Sequence, residues 1–474
     1  MTSLEKTAVF PRILNIAALL WFLYMIGCAT IRGLLVFYAA DQLKMTEGMS
    51  VLIYAAYGAI NSVISFAGGW AAVKFFGFKA TTKIGLFFYG IGIILLAITF
   101  KPFLYFGLSC MAVGSGFFSP NINSLLSRAL KSHSFKRNSA FTICYTSMNT
   151  GAFFGYCMAG ILKGAIGYTF TFLFAGAIVF LGFIIFQLYK QSSQEDNKFF
   201  YVHKLMGIIF VLVLLSLIDL LLNFASTCDY LVVIFGIITI VILTAIGFKK
   251  WIKNQDSAWF KYTGLGFISI LFWSLYQLKA SFLNFYIKDF VNRIYLGVAI
   301  PATFFQALNP IFMIFLGFFL AAFWIWIDRK KIIFNLANKF CLAVFFMGLA
   351  YILLAVGGNF TAAQEVNIIW IILFFLFMSL GEMIIAPTGY AMIGELFSQP
   401  KTQGILQGLW DVFGAIGYAF SGVVATKMPI LLGIKDTVLT LRDDDKIFTF
   451  IGYFVCVSAI ALTLLTQRWY KKYI

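Results

Sequence analysis

The chain reads as an all-α polytopic membrane protein, on three observations. Mean hydropathy is +0.93. Hydrophobic residues make up 62% of the 474 positions and charged residues 11%. About fourteen apolar segments, each near the ~20 residues that a bilayer-crossing helix needs, follow one another with short charged connections. A water-soluble domain has nowhere to bury so much apolar surface. A bilayer does, provided that each segment closes its own backbone hydrogen bonds as a helix.

The predicted spans are 13–40, 49–72, 81–100, 104–127, 138–160, 168–190, 205–225, 230–249, 262–285, 299–327, 337–357, 366–393, 403–426 and 447–467. The first follows Lys6 and Arg12 and is too long for the apolar core of a cleavable signal, so it is read as a retained span. The second ends in Gly68-Gly69-Trp70, ahead of Lys74 and Lys79. The third is plain. The fourth carries Gly114-Ser115-Gly116-Phe117-Phe118-Ser119-Pro120-Asn121, which is expected to interrupt it. The fifth carries Asn149, and the sixth is plain. The seventh and eighth are apolar enough to face lipid, with Asp219 as an exception placed in a local polar contact or near the interface. The ninth carries Trp273, Gln277 and Lys279. Interruptions are expected at Pro301 and Asn309-Pro310 in the tenth and at Gly381-Glu382 with Pro387 in the twelfth. The thirteenth holds Trp410-Asp411, and the fourteenth stops short of Lys471 and Lys472. Interrupted helices with polar residues at the break are a device for mid-membrane binding sites and gates.

With the N-terminus placed in the cytoplasm, cytoplasmic ends and loops hold 24 of the 35 Lys and Arg and the opposite side 9. Arg32 and Lys279 are the remainder. This asymmetry puts both termini inside. The net charge of +17 follows from the same bias and argues for attraction to anionic lipid, not for nucleic acid. Seven cysteines (Cys28, Cys110, Cys144, Cys157, Cys228, Cys341, Cys456) lack paired spacing and read as small buried hydrophobes. His133 and His203 lack metal-ligand spacing, and no metal or cofactor is expected. No soluble catalytic domain, nucleotide loop or catalytic motif is present, so an enzyme is not expected. No repeated ring of selectivity groups suggests a channel.

Charges at span depth are expensive and mark function. Arg32 is a planar five-donor cation suited to a carboxylate. Glu382 is suited to a substrate ammonium or to titration during transport. Lys279 and Asp411 are candidates for coupling and gating. Tyr57, Asn149 and Asn309 offer hydrogen bonds to a peptide backbone, since Asn matches an amide as donor and acceptor. Trp273 and Trp410 are candidates to line side-chain pockets. Each has a structural alternative: a static ion pair for the charges, snorkelling for Lys279, a helix-end position for Asp411, and helix–helix contact for the rest.

Ordered stretches carry a family resemblance. Gly68-Gly69-Trp70 with Lys74 and Lys79 resembles the loop motif between spans two and three of the major facilitator superfamily, with Val73 where an acid is usual. Arg32-Gly33-Leu34-Leu35-Val36-Phe37-Tyr38, Phe118-Ser119-Pro120-Asn121-Ile122, and Phe141 through Phe153, which follows the pattern FYxxINxG with Cys144 and Met148 substituted, resemble the proton-dependent oligopeptide transporter family of that superfamily. So do Leu271-Phe272-Trp273, Phe305-Gln306-Ala307-Leu308-Asn309-Pro310, Ser379-Leu380-Gly381-Glu382 with Pro387, and Gly408-Leu409-Trp410. The resemblance implies a major facilitator fold with 12 core helices plus 2 inserted ones: a six-helix half over 1–190, a linker with two inserted helices over 191–261, and a second half over 262–474. It implies a secondary transporter of di- and tripeptides, working by alternating access and coupled to protons. A monomer in a bacterial inner membrane is expected, with lipids as its other partners.

The resemblance is incomplete in its charged machinery. Trp21-Phe22-Leu23-Tyr24-Met25-Ile26-Gly27-Cys28-Ala29 stands where the family carries ExxERFxYY. The fourth-helix lysine falls at Ser119 and the seventh-helix glutamate at Gln277, which keeps its place in the expected substrate site. Acids and bases have gone together, as the cost of stranding a buried charge requires. Lys279 and Asp411 are new, and a relocated network pairing Lys279 with Glu382 is expected. The alternative is a carrier of an amino acid or another small zwitterionic metabolite with altered or absent proton coupling. A transport-inactive sensor is the reading from a different functional class.

Overall fold

The computed structural model describes residues 12–130, 137–189, 201–254, 257–330, 335–359, 365–397, 400–434 and 440–473. The helices are α1 (Arg12–Asp41), α2 (Glu47–Ala71), α3 (Phe78–Leu96), α4 (Lys101–Ala129), α5 (Arg137–Leu188), α6 (Tyr201–Asn223), α7 (Ala225–Asn254), α8 (Ala258–Gln277), α9 (Phe282–Phe290), α10 (Leu308–Arg329), α11 (Leu336–Asn359), α12 (Ile368–Leu396), α13 (Pro400–Leu431) and α14 (Leu441–Tyr473). Among the described residues eleven helices are long and apolar enough to cross a membrane, and twelve when α8 and α9, bent by 42° at their junction, count as one span. α5 is itself two helices joined at Gly167, whose φ of 76° only glycine adopts cheaply. With α5 divided there and α10 added, the fourteen predicted segments are all found, with ends shifted by a few residues.

Two of the expected interruptions are absent. α4 and α12 run on through Pro120 and Pro387. In α4 the glycines serve close packing instead. A Cβ at Gly68 of α2 would overlap the Gly116 carbonyl, and one at Gly85 of α3 would meet the Gly114 carbonyl at 2.8 Å. Asn121 then bonds its amide to the carbonyls of Phe117 (2.8 Å) and Gly68 (3.2 Å), tying α2 to α4. In the tenth span the interruption is found, as a 3₁₀ turn over Ala302–Ala307. Pro310 follows as the third residue of α10, in the first turn, where a missing N–H costs nothing.

The chain folds as two compact units. The first holds α1, α2 from Val63 onward, and α3 to α6. The second holds α2 up to Ser62, and α7 to α14. In the first unit α1 packs along α5, and α3 along α4 and α5. In the second, α11 packs on α12 and α14, α8 on α13, and α10 on α12. α6 and α7, the predicted insertion, are peripheral: 28% of the apolar stretch of α6 and 22% of that of α7 is buried, against 67% for α1. Asp219 finds a partner on its own helix, the Asn223 amide at 3.4 Å. Between α9 and the 3₁₀ turn a hairpin pairs Ile294–Tyr295 with Val298–Ala299 over a Leu296-Gly297 turn, both turn residues at positive φ. Six of the seven cysteines are buried and free, while the Cys228 side chain lies outside the described residues, as does His133.

Candidate functional site

The second unit contains a break that neither Pro nor Gly announces. α8 ends at Gln277, a 3₁₀ turn covers Leu278–Ala280, and α9 begins at Phe282. A broken helix orphans backbone carbonyls, and buried ones must find donors. Here side chains supply them. The Ser281 hydroxyl donates to the Gln277 carbonyl (3.2 Å), and the Asn284 amide to that of Ala280 (3.2 Å). The Gln306 amide, from the 3₁₀ turn before α10, donates to the Lys279 carbonyl and to Asn284 Oδ1 (2.8 Å). The break is thus fixed in place, and it aims Lys279 into the interior.

Lys279 is only 6% exposed, so it does not snorkel to an interface. Its ammonium donates to Asn309 Oδ1 at 2.9 Å and stands 3.6 Å from the centre of the Tyr276 ring. The Tyr276 hydroxyl donates to the same oxygen at 3.2 Å. Asn309 Nδ2 in turn donates to Ser379 Oγ (2.9 Å) and to Glu382 Oε2 (2.8 Å). Lys279 and Glu382 thus bond to one side chain, that of Asn309, and the expectation that Asn309 meets a peptide backbone gives way to this bridging position. Its carboxamide suits the task because the carbonyl faces a cation and the amine an anion, and all four of its hydrogen-bonding positions are used. Bonds to charged groups are worth about 1.5–3 kcal/mol each. The bridge joins three elements: α8's end, α10 and α12.

Other predicted residues fall outside this bridge. Asp411 accepts from the Tyr390 hydroxyl at 2.8 Å. Tyr390 is eight residues beyond Glu382 on α12, about 12 Å along a helix. Trp410 is buried between Tyr262, Phe340 and Phe413. Trp273 packs edge-on to Tyr276 (5.1 Å), beside the bridge. Gln277 and Tyr57 are buried. Asn149, in the first unit, donates to the Tyr145 carbonyl of its own helix at 3.0 Å.

Sequence reasoning missed Tyr276 and Ser379. The signal was present: each lies three residues before a charge at span depth. It also missed the first unit's aromatic cluster. Trp21 and Tyr24, at the two positions where the resembled motif has glutamates, pack on Phe118 at 5.0 and 4.7 Å, and Tyr24 on Tyr89 at 4.4 Å. Rings fill the space that charges would occupy. Half-buried Arg32 lies close enough to act on Tyr24. Trp21 Nε1 donates to Asn123 Oδ1 (3.2 Å) at the wall of a 490 Å³ cavity lined also by Phe141, Thr142, Cys144, Tyr145 and Met148. Among the described residues no group of His, Cys, Asp or Glu could hold a metal ion.

The chain is 26% identical over 456 residues to dipeptide and tripeptide permease A of Escherichia coli (strain K12), covering 94% of this chain and 90% of that one. It is 28% identical over 453 residues to the permease A of Citrobacter koseri, covering 93% and 88%. In fold it is similar to a crystal structure of a peptide transporter POT in complex with sulfate, with TM-score 0.81, 23% identity and coverage of 97% and 95%. A second, of a POT family transporter in complex with 5-aminolevulinic acid, has TM-score 0.80 at 22% identity, covering 97% and 96%. The family model PTR2 matches residues 79–430, most of the chain, and the chain accordingly belongs to the POT family.

Proposed function

We propose that this protein is a secondary transporter of short peptides, di- and tripeptides, and that its driving proton acts at Glu382. The observation that carries the reading is the Lys279–Asn309–Glu382 bridge. Membership of the POT family and the names of the relatives support peptides as substrate class. Glu382 uses one oxygen toward Asn309, and its other oxygen is assigned to a substrate ammonium or a proton. Neutralising the carboxylate by either route weakens the charge-assisted bond to Asn309 and with it the hold on Lys279, so a charge event biases the position of α8's end. Arg32 is assigned to a substrate carboxylate. Both termini in the cytoplasm, a bacterial inner membrane and a functional monomer complete the proposal.

A second reading has one specific observation in its favour: aromatic rings occupy the first-helix positions at which the family carries acids. On that reading the substrate is an amino acid or a similar zwitterion and proton coupling is altered. Counterflow in proteoliposomes separates the two. Unblocked dipeptides should compete with a labelled dipeptide, and acetylating the N-terminus should weaken competition about 10- to 100-fold, the equivalent of one charged hydrogen bond. Free amino acids competing as well as dipeptides would favour the second reading. Unchanged competition after blocking both ends would contradict recognition by Glu382 and Arg32.

A further inference from the structure

α14 opens on three consecutive aspartates that behave differently. Asp443 closes a capping box: its carboxylate accepts from the Thr440 N–H (3.2 Å) and hydroxyl (2.5 Å), and it pairs with exposed Lys446 at 3.4 Å. Asp444 and Asp445 face inward, 3% and 7% exposed, and Oδ1 of each has no hydrogen-bond partner. Asp445 lies directly on the backbone of α11, where a Cβ at Gly358 would overlap its carboxylate. Tyr286 of α9, 1% exposed and packed edge-on to Phe448 at 4.9 Å, lies in the field of Asp445 and Asp444, and its hydroxyl too has no hydrogen-bond partner. The remaining groups facing Asp444 among the described residues are acidic as well: Asp443, Glu47 at the start of α2, and Asp289 of α9.

Two ionised carboxylates on adjacent buried residues, each with one oxygen that no donor reaches, are strongly unfavourable. Among the described residues no three acid, His or Cys groups converge as a metal site does. We propose that Asp444 and Asp445 form a proton-binding site, holding one proton between their two carboxyl groups with the Tyr286 hydroxyl as the third member. One added proton removes one charge and supplies a donor where neither orphaned oxygen has one. The site governs the start of α2. Glu47 stands in its field, and the same end of α2 meets α13, where a Cβ at Gly48 would lie 3.8 Å from Thr426. Losing the proton adds a negative charge facing Glu47 and loosens that end of α2. The inference is independent of the assignment of the driving proton to Glu382.

Difference infrared spectroscopy of the purified full-length protein in lipid tests it, by reading the carbonyl band of a protonated carboxyl as pH is stepped from about 5 to about 9, the range over which buried carboxyls titrate. Wild type should keep a protonated-carboxyl band at about pH 6, where an ordinary aspartate is ionised. Asp444→Asn/Asp445→Asn should lose that band, and Tyr286→Phe should shift its titration while leaving the fold intact. Glu382→Gln should retain it, which separates this site from the transport site. A band unchanged in the double variant overturns the proposal. So does a band absent from wild type, or one abolished at constant pH by sodium.

Discussion

Replacing Asn309 by Ala is expected to abolish transport while most lipid-facing substitutions leave it intact. The side chain bonds both to the Lys279 ammonium, at 2.9 Å, and to the Glu382 carboxylate, at 2.8 Å. Its removal leaves a buried cation and a half-buried anion short of their bridging group. Breaking a buried ionic arrangement by deleting one member costs about 3–5 kcal/mol. Uptake efficiency should fall by about two to three orders of magnitude, the equivalent of 3–4 kcal/mol. The Asn309→Asp variant discriminates charge relay from packing. It keeps the acceptor for Lys279 and Tyr276 but turns the donor facing Glu382 into a second acid. Two facing carboxylates share their site comfortably only when one is protonated, so activity should recover as pH falls. Uptake by Asn309→Ala at the wild-type rate would show that the bridge is incidental.

The largest effect on folding is expected at Gly68, with Gly69 as its built-in control. An alanine methyl at Gly68 would run into the backbone carbonyl of Gly116, which has no flexible end to swing aside. The same methyl at Gly69 meets nothing within 4 Å. Overpacking of this kind costs about 1–3 kcal/mol and more where backbone must move, whereas Gly→Ala in an open helical position gains about 0.5–1 kcal/mol. Gly68→Ala should therefore lower the melting temperature in detergent or fail to accumulate in the membrane, and Gly69→Ala should match or exceed wild type. Equal behaviour of the two variants would mean that α2 does not approach α4 as closely as the structure has it.

The spans were legible because a bilayer enforces one simple rule, an apolar stretch of fixed length, and that rule survives divergence. The charges at span depth, Lys279 and Glu382, were legible for the same reason, since they violate it. What bridges them was not. Asn309 sits 30 residues beyond Lys279 and 73 before Glu382, and a carboxamide at a helix start looks the same whether it caps, packs or bridges. Breaks misled in both directions. Glycines 114 and 116 looked like an interruption but serve the approach of neighbouring helices. The break that matters, at Leu278–Ser281, contains neither Pro nor Gly. It depends on Ser281, Asn284 and Gln306 reaching orphaned carbonyls, a pattern visible only once the chain is folded. The absence of the first-helix acids was plain in sequence, but its consequence was not: Trp21 and Tyr24 close the space with a ring cluster on Phe118.

A charge event at Glu382, transmitted by Asn309 to Lys279, is proposed to drive transport. Accumulation of a labelled dipeptide in proteoliposomes under an imposed pH gradient tests it most directly, with Glu382→Gln compared against wild type and against the Glu382→Gln/Asp411→Asn double variant. Glu382→Gln should lose gradient-driven accumulation yet keep measurable counterflow, because exchange requires no net proton cycle. Accumulation with wild-type pH dependence in the double variant would contradict it, and wild-type uptake indifferent to both pH and the gradient would remove the proton from the mechanism.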